Sequence, residues 1–226
     1  MRIEDFMIIL ITILLCSISF LLMLRDMKEN AQKNESEDGK VHPISKGVIV
    51  YSICMVLITL AIAVVLQKVY KDNSLVFNVK RICLLSILWP IALIDFQSRR
   101  IPNEFIIFGL VCRGLLILPE LLHSKNSGGI TILTELIASG AIVLAAVFCR
   151  LCIKNSVGIG DIKLFIIMGL LLGLDGIWSS IFMALLVSFI ISIVLIVSKK
   201  KTRKDTIPFG PAIVIGTYLS VFFTGM

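Results

Sequence analysis

The sequence predicts an all-α fold, a polytopic membrane helix bundle of about eight transmembrane helices, on three observations. Of 226 residues, 58% are hydrophobic and only 16% are charged, whereas soluble domains average about 45–50% apolar and about 25% charged. The mean hydropathy is +1.00. Apolar runs near the roughly 20 residues that cross a bilayer recur with short connections between them. This composition excludes a soluble enzyme, a disordered tail, a nucleic-acid module and any large extramembrane domain.

The spans read as 6–24, 47–66, 79–95, 104–122, 130–149, 161–178, 180–198 and 208–224. The first is longer than a signal-peptide core, carries Glu4 and Asp5 ahead of it and lacks a small-x-small cleavage site, so it reads as a retained helix. The third is short. Between the first two spans, residues 25–46 mix both charges and read as a loop. The division is 1–78, two helices with a polar loop, and 79–226, a six-helix unit.

Basic residues set the expected orientation, since cytoplasmic loops are enriched in them. With both termini outside, the inner connections hold fifteen Lys and Arg, among them Lys199, Lys200, Lys201, Arg203 and Lys204, and the outer ones hold six. Lys80 and Arg81 fall on the wrong side of this count. The net charge of +7 is therefore a record of sidedness, and no nucleic-acid partner is expected. The six cysteines lie mostly in apolar runs and outline no disulfide framework. Cys149 and Cys152 have metal-like spacing but lack the two further ligands of a tetrahedral site, so neither metal nor cofactor is expected.

Charges inside spans are costly and therefore informative. Asp95 ends the third span and is followed by Arg99, Arg100, Ile101, Pro102 and Asn103. Pro102 takes the preceding backbone out of helix, and Asn103 suits the start of the next. Asp161 follows Gly158 and Gly160 at the start of the sixth span. Two spans separate Asp95 from Asp161, so both carboxylates return to one membrane face whichever way the chain inserts. A pair of nearby carboxylates titrates in two steps, so that one holds a proton while the other accepts one from water. No Ser/His/Asp set competes, because His42 and His123 fall in loops on opposite sides.

Simpler roles exist for each acid. Asp161 alone reads as a helix cap, and Asp95 alone as an interfacial residue paired with Arg99 or Arg100. Glu120 shares a helix face with Arg113 and suits an internal ion pair. Glu135 and Asp175 read as interfacial residues near the outer face.

Three ordered motifs together resemble the type IV prepilin peptidase family of GxGD intramembrane aspartic proteases, in its short form. They are Asp95 with Ile101-Pro102-Asn103; Gly158-Ile159-Gly160-Asp161-Ile162-Lys163, continuing to Gly169 and Gly173; and Ile207-Pro208-Phe209-Gly210-Pro211 with Gly216. The resemblance implies an endopeptidase that removes the basic leader of prepilin-like precursors at the cytoplasmic face. It implies Asp95 and Asp161 as the catalytic pair, with Gly158, Gly160, Lys163, Pro102, Asn103, Pro208 and Gly210 in support. Its partners would be prepilin-like substrates and membrane lipids. Longer members of the family carry an insertion with two CxxC pairs and also methylate the new N-terminus. No cysteine lies between the first two spans here, so methyl transfer and bound zinc are not expected.

Helix polarity suggests a division of labour, with Asp161 at a positive helix end as base and Asp95 at a negative end as acid. Glu29, Glu35, Glu37, Asp38 and Glu104 are the acids available to a basic leader. The alternative reading is a proton-coupled transporter that relays protons through paired intramembrane acids.

Overall fold

Apolar runs that must satisfy every backbone polar group internally become helices, and seven form among the described residues. In chain order they are α1 (Ile3–Asp38), α2 (Lys46–Lys68), α3 (Leu75–Ser98), α4 (Asn103–His123), α5 (Gly128–Cys152), α6 (Ile159–Val197) and α7 (Gly210–Thr224). The computed structural model describes residues 3–38, 46–71, 73–123, 128–152, 158–198 and 209–225, and among them no strand occurs. Six helices are long and apolar enough to cross a membrane; α7, with 15 residues, is shorter.

Among the described residues the seven helices give eight arms, because α6 doubles back. Its 39 residues would measure about 58 Å if straight, nearly twice the hydrocarbon core. At Gly173 the backbone leaves the helical region, with φ 73° and ψ −173°, a conformation open essentially only to glycine. The first arm runs away from Asp161 beside α5, where Gly169 meets the Ser139 backbone. The second arm returns antiparallel to α7, with Ala184 against Gly216 and Ser179 bonded to Ser220. The sequence places this reversal near residue 179. Its actual position is the one glycine in the run with positive φ.

The hub of the bundle is α3. Protein buries 89% of its membrane-crossing window, against 28% or less for each of the other five candidate spans. Its hydropathy is the lowest of the six, 1.6, because a helix surrounded by protein has no need of a lipid-facing surface. Ser74 caps its start, accepting a hydrogen bond from the Phe77 N–H at 3.2 Å. Helices α1, α2, α4, α6 and α7 all pack against it. Two phenols fasten it further: Tyr51 of α2 donates to the Trp89 carbonyl, and Tyr218 of α7 to the Leu85 carbonyl, each at 3.0 Å.

Two expectations change here. Lys80 and Arg81 are not loop residues on the wrong side; they are inside α3 and 1% and 2% exposed. The polar segment after the first span is not a loop throughout, since α1 continues helical to Asp38.

Buried charge has to be matched, and the matching joins four helices. Lys80 Nζ lies 2.7 Å from Glu120 of α4 and 2.5 Å from Glu135 of α5. Arg113 of α4 meets Glu120 at 2.9 Å and Glu135 at 2.5 Å. The Arg113–Glu120 pair is the one its helical spacing suggests. Glu135, expected at an interface, is instead 2% exposed and bridges both cations; Asp175 is exposed. Arg81 lies over the Phe77 ring and donates to the Leu171 and Leu172 carbonyls, both at 3.2 Å. These are the acceptors that the break at Gly173 leaves without helical donors.

Glu135, like Glu120, pairs with both Lys80 and Arg113. Glu135→Ala is expected to destabilise the protein by about 3–5 kcal/mol, as loss of one partner does in a buried pair. Glu135→Gln should cost less, because the amide retains an acceptor. Chemical unfolding in detergent measures both.

Candidate functional site

Asp95 lies in the last turn of α3. Arg99 closes that helix in the left-handed conformation, φ 51°, and its N–H bonds the Asp95 carbonyl at 2.9 Å. A left-handed residue with a side chain costs about 1–2 kcal/mol, so the short strap from Arg99 to Pro102 needs anchoring. Pro102 is buried. Of the two arginines expected beside Asp95, Arg99 interacts with it electrostatically, whereas Arg100 pairs with Asp26 of α1 at 2.6 Å. Asp95 itself is 8% exposed, and its Oδ2 accepts the Gly210 N–H at 2.9 Å.

That bond brings the third motif to the first. Gly210 is the first residue of α7. A Cβ there would lie 2.5 Å from Asp95 Oδ2 and 2.9 Å from Asp95 Cβ, so any larger residue displaces the carboxylate. Phe209 packs edge-on to Phe165, centroids 6.5 Å apart, which holds the start of α7 beside the first arm of α6. Pro208, in the same motif, lies outside the described residues.

Asp161 is the third residue of α6, behind the N-cap Gly158. The Gly158 N–H bonds back to its carboxylate, the reciprocal half of a capping box. The simpler reading of Asp161 as a cap therefore describes its local geometry, and that same geometry presents the carboxylate at the head of the helix. Asp161 is half-buried and interacts electrostatically with Asp95.

The first two motifs also touch directly. A Cβ on Gly160 would lie 3.3 Å from Ile101 Cβ, so glycine lets α6 start close against the strap. Lys163 Nζ donates to Asn103 Oδ1 at 2.9 Å, joining the first turns of α6 and α4. Asp95, Ile101, Pro102, Asn103, Gly158, Gly160, Asp161, Lys163 and Gly210 are thus gathered at one end of the bundle.

The geometry removes one asymmetry read from the sequence. Asp95 ends α3, but through Gly210 it also faces the start of α7. Each carboxylate then sits at a helix N-terminus and accepts one backbone N–H. Helix polarity alone no longer separates an acid from a base. Chemically, the arrangement offers two carboxylates at one end of the bundle, one buried and one half-buried, suited to passing protons to and from water.

Asp26 is a site-supporting residue that the sequence alone does not single out, because its charged surroundings read as a loop. The available signal was the i, i+4 spacing of Arg25 with Glu29 and of Asp26 with Asn30. Both pairs bond, at 2.9 Å and 3.2 Å.

A profile of the type IV leader peptidase family matches residues 82–197. The prepilin leader peptidase/N-methyltransferase of Bacillus subtilis (strain 168) is 27% identical over 139 residues, covering 62% of this chain and 53% of that protein. The chain thus spans about half the length of that curated relative. No solved structure matches. The profile covers more than half of the 226 residues and reaches from the core of α3 to the end of α6: the chain belongs to the type IV leader peptidase family.

Proposed function

We propose that this multi-pass membrane protein is an aspartic endopeptidase of the GxGD type. It would remove the basic leader from prepilin-like precursors at the cytoplasmic face. Asp95 and Asp161 form its acid–base pair. The observation that carries the reading is the meeting of two motif carboxylates at one end of the bundle, each on a helix N-terminus. The family membership and the name of the B. subtilis relative support the substrate class.

In the proposed reaction the scissile peptide enters between the two acids. The ionised carboxylate takes a proton from water as the water oxygen adds to the peptide carbonyl, which the protonated carboxyl polarises. The resulting tetrahedral diol collapses, the C–N bond breaks, and the leaving amine takes a proton from a carboxyl. One water is consumed, and the pair returns with one proton between its members.

Charge supports the cytoplasmic assignment. With Lys80 and Arg81 buried in α3, the count for the connections read as outer falls from six to four (Arg2, Lys68, Lys71 and Lys125), against fifteen for those read as inner. Residues 79–226 form the catalytic unit in this proposal, and α1 and α2 brace it. Methyl transfer, named for the relative, is left out, since residues 25–46 hold no cysteine pair. The transporter alternative has no observation in its favour.

Two experiments test the reading, with wild type cleaving a prepilin-like precursor in liposomes. Asp95→Ala and Asp161→Ala should each lower cleavage by about a thousandfold or more with unfolding midpoints unchanged. Undiminished processing by either variant overturns the dyad. Gly210→Ala leaves both acids in place but pushes the Asp95 carboxylate aside, and should lower kcat about a hundredfold, as small misplacements do.

A further inference from the structure

The matched part of the family begins at residue 82, yet the strap beside Asp95 is held from outside it. Asp26 of α1 is 7% exposed. Its Oδ2 accepts from Arg100 at 2.6 Å and from Asn30 at 3.2 Å. Arg100 lies between the left-handed Arg99 that closes α3 and Ile101, against which Gly160 packs. A chain of contacts therefore runs from Asp26 to Arg100, to Ile101, to Gly160, and so to the residue beside Asp161. On the other side, Arg99 fixes the carbonyl of Asp95. The strap is a two-ended spacer between the acids, and Asp26 is its anchor in a neighbouring helix.

We infer that Asp26 is a positioning residue for the Asp95–Asp161 pair, acting through Arg100 to fix the strap that separates the two carboxylates. The inference rests on the proteolytic reading above and gives α1 a part in it. Asp26 touches no reacting atom. Its loss lets the left-handed turn at Arg99 relax, so the acids drift from their working separation while the rest of the bundle stays folded. Substrate binding depends on other surfaces and is little affected.

The test uses the full chain in lipid nanodiscs and a prepilin-like precursor. Asp26→Ala and Arg100→Ala should each lower kcat at least tenfold with KM changed less than twofold. The double variant should be no worse than either single, because both remove one interaction, and Arg100→Lys should recover part of the loss. Backbone amide exchange at residues 99–101 should speed at least tenfold in Asp26→Ala, with residues 213–221 of α7 unchanged. Unchanged exchange at the strap, additive losses in the double variant, or an effect on KM alone would overturn the inference. Wild-type kcat in Asp26→Ala, with Asp95→Ala inactive, would overturn it and leave the proteolytic reading standing. A wild-type chain that cleaves no precursor would overturn both.

Discussion

Lys80 and Arg81 sit in the interior of a membrane bundle, where an unpaired cation costs several kcal/mol, and the packing of α3 follows from neutralising them. Their acceptors come from three other helices: Glu120 of α4, Glu135 of α5, and the Leu171 and Leu172 carbonyls of α6. Each contact fixes the height of a neighbour along α3. The Arg81 contact also determines where α6 can turn. It supplies donors for carbonyls that the break at Gly173 exposes, so the reversal falls where the guanidinium can reach.

The same helix carries Asp95 at its other end, about 22 Å from Lys80. Here α3 acts as a ruler. Arg81 holds the far end of the first α6 arm, and the strap after Asp95 meets its near end at Gly160. One fixing is on α3 itself and the other on the strap that follows it, so the first α6 arm is held at both of its ends. Glycine appears wherever backbones must approach: Gly160 at the strap, Gly169 against α5, Gly216 against the second arm, and Gly210 at the carboxylate. Small residues at such contacts are how helices pack without a hydrophobic drive between them.

Hydropathy reads a helix as lipid-facing or not at all, which explains where the sequence falls short. The start of α3 was obscured because Asn78, Lys80 and Arg81 are polar, yet each is buried against protein. Glu135 read as interfacial because nothing local announces its partners, which are 22 and 55 residues distant. The helical continuation of α1 past Arg25 was hidden by charge, although the Arg25–Glu29 spacing carried the signal. For α3 and Glu135 the deciding partners are remote in sequence.

The sequence by itself determined the all-helical, multi-pass membrane class and the return of Asp95 and Asp161 to one end. These follow from span length and from counting crossings, which are properties of the chain alone. Tertiary structure decided the rest. It turned α6 at Gly173, set Asp95 against the N-terminus of α7, moved Arg100 from Asp95 to Asp26, and buried the cations that had read as loop residues. The physical reason is common to all four. A buried charge or an exposed carbonyl is satisfied by whichever group packing brings near, and packing is a property of the whole bundle.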